Sequence, residues 1–105
     1  MRALVLLAVP LAAGCVHTPG ARDIQAVETG RILAPQTDYT RDGRAYVEFA
    51  PTVETRGAVC TRVQGGAFEC SFESRVRGFF DGEFGPWQKR REILVRRRGY
   101  WRLAP

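Results

Sequence analysis

Apolar and polar residues alternate through much of the C-terminal two thirds of the chain, as expected for strands with one buried face. The clearest case is a pair of such runs, residues 59–63 and 67–72, separated by Gln64-Gly65-Gly66. A three-residue hairpin loop needs a left-handed backbone position, which glycine supplies at little steric cost. The pattern therefore predicts a β-hairpin with Gln64-Gly65-Gly66 as its loop and Ala58 opposite Phe72.

The same hairpin places Cys60 directly opposite Cys70, on the face that also carries Phe68 and Phe72. Cβ atoms of directly opposed residues lie about 4.5 to 5.5 Å apart, close enough for a disulfide after a small adjustment. A metal pair and a redox pair are the competing interpretations. The chain has no second ligand pair and no Cys-x-x-Cys spacing, so we predict a structural disulfide.

Further strands and loops follow from the same alternation and from turn-forming residues. The predicted strands are residues 44–49 with Ala45, Val47 and Phe49 on the buried side, 53–63 after the break at Pro51, a continuation through 76–80, 87–96, and 100–104. The predicted loops are 35–43, which closes on Asp42-Gly43, and 81–86. Phe79, Phe80 and Phe84 lie at the second loop; we expect them to fold back over the sheet, with a partner-binding loop as the alternative.

Residues 23–34 fit two structures. Ile24, Val27 and Ile32 lie roughly on one face of a short helix capped by Asp23, whereas Gly30 and its neighbours fit a bent strand. We favour the strand. The predicted fold class is therefore mainly β, a small antiparallel meander with a disulfide-stapled hairpin, and the alternative is an α+β fold with one short N-terminal helix.

The closing hairpin, a strand, a charged turn at Arg97-Arg98-Gly99 and then Tyr100-Trp101-Arg102-Leu103, resembles the last two strands of cystatin-like and nuclear-transport-factor-like sheets. In those folds a curved antiparallel sheet wraps a helix. The resemblance implies that architecture for the alternative fold.

The N-terminus has the three parts of an export signal. Met1-Arg2 is a short positive region, residues 3–11 are apolar apart from Pro10, and Leu11-Ala12-Ala13-Gly14 leads to Cys15. The apolar run is too short for a transmembrane helix, which needs about 20 apolar residues. These residues resemble the lipobox of bacterial lipoproteins, although Ala12 stands where that family usually has Leu.

The resemblance implies cleavage before Cys15 and lipidation of this cysteine with a diacylglyceryl group and acyl chains such as palmitate. It divides the chain into a signal peptide (1–14), a lipidated flexible tether (15–22) and a single small β-rich domain (23–105). Since Val16 stands where an Asp would retain such a protein at the inner membrane, it implies an outer-membrane anchor facing the periplasm. An oxidising compartment favours the Cys60–Cys70 disulfide.

Composition adds a charge asymmetry to an ordinary globular chain of 45% apolar and 26% charged residues. The formal net charge is +5, or +4 without Arg2, yet residues 87–105 hold seven basic residues and only one acid, Glu92. This end carries the candidate anion-binding residues Arg96, Arg97 and Arg98. Solvated arginines that protect exposed strands from aggregation are the alternative.

Catalytic chemistry finds little support in the sequence. His17, the only histidine, lies in the predicted tether, and no motif for a metal, a phosphate or another cofactor is present. We therefore expect no enzyme and no cofactor, but a lipid-anchored envelope protein that binds another envelope protein or an anionic envelope polymer, with no nucleic acid as partner. The alternative is a periplasmic inhibitor of a hydrolase such as lysozyme.

Overall fold

The computed structural model describes residues 17–105, which form one helix followed by six strands. They are α1 (Ala21–Leu33), β1 (Thr37–Tyr39), β2 (Ala45–Val47), β3 (Thr52–Arg62), β4 (Phe68–Arg77), β5 (Gln88–Arg97) and β6 (Tyr100–Leu103). Strands β3 to β6 form an antiparallel meander in chain order, and β1 pairs with β2 in a separate two-stranded sheet. The predicted mainly β class is confirmed, whereas the lipobox-like segment and Cys15 lie outside the described residues.

The strand favoured for residues 23–34 is wrong, because this segment belongs to α1. Asp23 accepts a hydrogen bond from the backbone N–H of Gly20 at 2.8 Å, which satisfies a free donor at the helix start. The face turned to the sheet includes Ile24, Val27 and Glu28. A glutamate in the buried stripe weakens the apolar periodicity by which a helix is recognised in sequence.

The core lies between α1 and one face of the four-stranded sheet. Its buried residues are Ile24, Phe68, Cys70, Phe72 and Leu94, and Val27, Cys60, Trp101 and Leu103 pack against them. Alternate residues of β4 point into this core, as the period of two in its sequence predicts. The rings of Phe68 and Trp101 meet edge to face, with centroids 5.5 Å apart.

The predicted hairpin and its disulfide are present. Cys60 pairs with Cys70 in the β3–β4 register, and a disulfide links them across a Cα–Cα distance of 4.0 Å. Gly65 and Gly66 both have positive φ, at 72° and 78°, as the loop requires. The predicted pairing of Ala58 with Phe72 is wrong, because the register shifts between Arg56 and Val59 and leaves Ala58 in a bulge.

Three other predicted boundaries also change. The predicted loop 35–43 contains β1, although its turn at Asp42-Gly43 is present, with a φ of 86° at Gly43. The predicted half-buried strand 44–49 is reduced to the largely exposed β2, because its small sheet lies outside the core. The predicted continuation through 76–80 stops at the end of β4, where a loop begins.

Gln25 joins α1 to the free edge of β3. Its Nε2 donates to the carbonyl oxygen of Val53 at 2.6 Å, while its Oε1 accepts from the backbone N–H and the hydroxyl of Thr55 at 3.0 and 2.9 Å. A side-chain amide thus takes the place of a neighbouring strand, which satisfies backbone groups at an edge where another chain could pair.

We expect Gln25→Ala to lower the free energy of unfolding by about 2 kcal/mol, because it leaves partly buried backbone groups of β3 without partners. Urea unfolding followed by circular dichroism measures the change. The matched control is Gln64→Ala, which removes an exposed side chain that makes no hydrogen bond within residues 17–105. Equal stability of the two variants would show that Gln25 does not hold the edge.

Candidate functional site

A buried carboxylate, Glu28, lies between the helix and the sheet with only 1% of its surface exposed. Arg31, one helical turn further along α1, donates to both of its oxygens from Nε and Nη2, at 2.8 and 2.9 Å. Arg90 on β5 brings its Nε to 3.5 Å from Oε2 of the same carboxylate. The bidentate pair fixes the carboxylate, and the second arginine ties it to the sheet.

Glu92 completes the cluster by pairing with Arg90 and lying 3.8 Å from Nε of Arg31. Burial works to raise the pKa of Glu28, but hydrogen bonds from Arg31 and Ser74 and the charges of Arg31 and Arg90 outweigh it. The net effect is a pKa below the ordinary glutamate value. The hydrogen bond to Glu28 in turn raises the pKa of Arg31. A carboxylate held ionised in this way is poorly suited to proton transfer near neutral pH.

A cleft of about 400 Å³ opens beside this cluster and is lined in part by Glu28, Arg31, Ser74, Pro86 and Arg90. Glu28, Arg31 and Arg90 are paired with one another and hold the helix on the sheet, whereas Lys89, which also lines the cleft, has no ion-pair partner within residues 17–105. Within residues 17–105, no group of three or more His, Cys, Asp or Glu residues is placed to hold a metal ion. No helix in this part of the chain is long and apolar enough to cross a membrane.

The most unusual surface feature is a set of three exposed phenylalanines, Phe49, Phe79 and Phe80, which we call the phenylalanine cluster. Their side chains are 54%, 58% and 79% exposed. Each ring contacts the other two, with centroids 5.0 to 5.3 Å apart. Single exposed apolar residues are common on protein surfaces, but a contiguous aromatic patch is typical of an interaction site.

The loop that carries Phe79 and Phe80 is ordered by its own hydrogen bonds. Asp81 accepts from the backbone N–H of Gly78 at 3.1 Å and donates its own N–H back to the Gly78 carbonyl at 3.0 Å. Gly85 donates to the Val76 carbonyl at 3.0 Å, which closes the loop on the end of β4. Phe79 and Phe80 therefore stand on an ordered loop, which reduces the entropy lost when a partner binds.

Sequence reasoning foresaw only part of this surface. Phe84 does fold back over the sheet, as predicted, whereas Phe79 and Phe80 point to solvent. Phe49 was expected on a buried strand face; instead it has a left-handed backbone with a φ of 55° and joins the other two rings. The signal for this surface in the sequence is two adjacent phenylalanines in a loop rich in glycine, which matches the alternative of a partner-binding loop.

Exposed carboxylates lie next to the phenylalanine cluster in the chain. Glu48 precedes Phe49 in the chain, and Asp81 and Glu83 follow Phe80, all three with exposed side chains. None of the three forms an ion pair within the described part of the chain. The patch is thus apolar in its middle and negative at its border, a combination that suits a partner with both apolar and basic groups.

Arginines stack on aromatic rings across the sheet face that α1 leaves open. The guanidinium carbons of Arg56 and Arg75 lie 3.9 and 4.5 Å from the centroid of the Trp87 ring, and Arg75 also lies 4.3 Å from that of Phe84. Glutamates hold both arginines: Arg56 bonds to Glu73 at 2.9 Å, and Arg75 to Glu54 at 2.8 Å. Two guanidinium groups thus lie within cation–π distance of the Trp87 ring.

Arg96, Arg97 and Arg98, the candidate anion-binding residues, lie together where β5 turns into β6, and we call them the arginine turn. All three are exposed, and none has an ion-pair partner within residues 17–105. Positive φ values of 54° at Arg98 and 84° at Gly99 shape a tight hairpin turn. The ten residues of β4 and the last three of β5 separate the phenylalanine cluster from the arginine turn, so the two surfaces lie about 40 Å apart.

Cys60 and Cys70 have a structural role in the core. Cys70 is fully buried, and its disulfide with Cys60 leaves neither thiol free for chemistry. Two surface features of residues 17–105 with potential for binding are the phenylalanine cluster and the arginine turn, which lie at opposite ends of the sheet. Comparison of the chain with known protein families, with curated proteins and with solved structures finds no significant match.

Proposed function

We propose that this protein is a lipid-anchored component of the bacterial cell envelope that acts by binding another envelope protein through the phenylalanine cluster. The observation that carries the proposal is three mutually contacting phenylalanines, each more than half exposed, at one end of the sheet. Full burial of a phenylalanine side chain contributes about 1.5 to 3 kcal/mol, so a partner that covers the three rings gains a large part of a binding free energy.

The cellular location in this proposal is inferred from the lipobox-like residues Leu11 to Cys15. This location implies that the partner is also an envelope protein. A protein held at the membrane by Cys15 meets other envelope proteins at high local concentration, which favours contacts that would be weak in solution. Aromatic residues, phenylalanine included, are enriched at protein–protein interfaces relative to the rest of the surface. No catalytic step is part of the proposal, since the buried carboxylate serves to join the helix to the sheet.

Site-specific photocrosslinking in the native envelope tests this function. A benzophenone-bearing phenylalanine analogue at position 80 is expected to yield a covalent protein adduct on irradiation. The matched control is the same analogue at Tyr39, which is 70% exposed but lies on β1, outside the cluster. No adduct at position 80, or equal adducts at both positions, would overturn the proposal. Capture of a muramidase would favour the alternative of a hydrolase inhibitor, with the phenylalanine cluster as its contact surface.

A further inference from the structure

We infer that the partner bound by the phenylalanine cluster is the arginine turn of a second copy of this chain, so that the protein assembles head to tail. The inference rests on the proposed function, since it names the partner of the same surface. Its basis is that the two ends of one sheet are complementary in charge and in chemistry.

The charges of the two ends are opposite and unpaired. Next to the phenylalanine cluster lie Glu48, Asp81 and Glu83, and the one basic neighbour in sequence is Arg77 at the end of β4, so this end carries a net negative charge. At the other end, residues 95–102 include four arginines and no acid. Each end repels a copy of itself and attracts the other end, which opposes a symmetric dimer of like surfaces and favours a contact between unlike ones.

The side chains at the two ends also suit each other beyond charge. The open face of the sheet already shows how arginines and aromatic rings of this protein pack, with guanidinium groups 3.9 to 4.9 Å from ring centroids. The phenylalanine cluster offers partly exposed rings near carboxylates that have no ion-pair partner, and the arginine turn offers guanidinium groups without acidic partners. Tyr100, 70% exposed next to the turn, adds apolar area on the basic side. A contact between the two ends would repeat the intramolecular arrangement between molecules.

The two surfaces occupy opposite ends of the same sheet. When two molecules bind in this way, the pair still has one unbound phenylalanine cluster and one unbound arginine turn. Such a contact adds further copies instead of closing on itself, unless the rotation between neighbours forms a ring. The phenylalanine cluster is less suited to insertion into an anionic bilayer, because its carboxylate border would face lipid headgroups of the same sign.

Two variants of the full-length chain, each lacking one surface, test the inference in the envelope. In the turn variant, Arg97→Glu and Arg98→Asp reverse the basic end; aspartate tolerates the left-handed position of Arg98. In the cluster variant, Phe49→Ser and Phe79→Ser remove two of the three rings. The photoactivatable phenylalanine analogue replaces Phe80 in the wild-type protein and in the turn variant, and the variants carry different epitope tags.

We expect crosslinked dimers from the wild type, and about tenfold fewer or none from the turn variant expressed alone, because like charges would then face each other. Coexpression of the turn variant with the cluster variant should restore dimers that carry both tags. In such a mixed dimer the turn variant contributes its intact phenylalanine cluster and the cluster variant contributes its intact arginine turn. Restoration therefore distinguishes a head-to-tail contact from a symmetric dimer.

Undiminished dimers from the turn variant alone, or no dimers with both tags, would overturn the inference. Non-reducing mass mapping of the Cys60–Cys70 disulfide in both variants shows that they have folded, so that a missing dimer counts against it. Capture of a different envelope protein, or of lipid, in place of a second copy at position 80 would also overturn it. Capture of a different envelope protein would still support the proposed function, whereas capture of lipid alone, or no adduct, would contradict both the inference and the proposed function.

Discussion

Glu28→Gln is expected to lower the free energy of unfolding at pH 7 by about 3 kcal/mol, since breaking a buried ion pair from one side leaves its partners uncompensated. The carboxylate is 1% exposed and receives two hydrogen bonds from Arg31, with Arg90 also close by. In the variant, two guanidinium groups near the core share only Glu92. Urea unfolding at pH 7 measures the loss.

The same carboxylate makes stability depend on pH. Because its pKa in the folded protein lies below the ordinary value, its contribution is present above the pKa of the unfolded chain and is lost as the pH falls through the folded pKa. The groups that face it are Arg31 from the helix and Ser74, Arg90 and Glu92 from the sheet. The wild type should therefore lose stability in acid more steeply than Glu28→Gln.

The matched control is Glu83→Gln, at an exposed carboxylate without an ion pair within residues 17–105. Its stability at pH 7 should stay within about 0.5 kcal/mol of the wild type, and its acid profile should follow the wild type. If Glu28→Gln were as stable as this control at pH 7, the charge cluster would not be what joins the helix to the sheet.

Local patterns predicted the hairpin, its loop and its disulfide because short-range rules decide each of them. The loop glycines fix the turn, the turn fixes the register, and the register places Cys60 against Cys70. The same rules do not predict α1. Glu28 lies in the buried face of this helix only because it pairs with Arg31 and Arg90. Periodicity of apolar residues cannot show an ion pair between a helix and a sheet.

Of the two candidate binding surfaces, one could be predicted from local sequence and the other could not. The arginine turn is continuous in sequence and could be located from its residues alone. The phenylalanine cluster joins Phe49 to Phe79 and Phe80, from two loops distant in sequence that meet only in the folded chain. The alternation of apolar and polar residues predicts Phe49 on a buried strand face. That strand ends at Val47, and Phe49 has a left-handed backbone conformation.

Cys15→Ala is expected to abolish incorporation of labelled palmitate and to release the protein from membranes. At about 0.8 kcal/mol for each buried methylene, two or three acyl chains hold a protein at a bilayer very firmly, whereas the thiol-free chain has no lipid attachment site at this position. Metabolic labelling and membrane fractionation measure the two effects. The matched control is the double variant Cys60→Ala and Cys70→Ala, in which palmitate labelling should persist because these thiols are used in the disulfide.

The most direct test of lipid anchoring is the mass of the N-terminal peptide of the protein isolated from its native envelope. We predict that the mature chain begins at Cys15 and that this residue carries a diacylglyceryl group on its sulfur, with or without a further acyl chain on its amine. A chain that begins at another residue, or an unmodified thiol at Cys15, would contradict the proposal that this protein is a lipid-anchored envelope component.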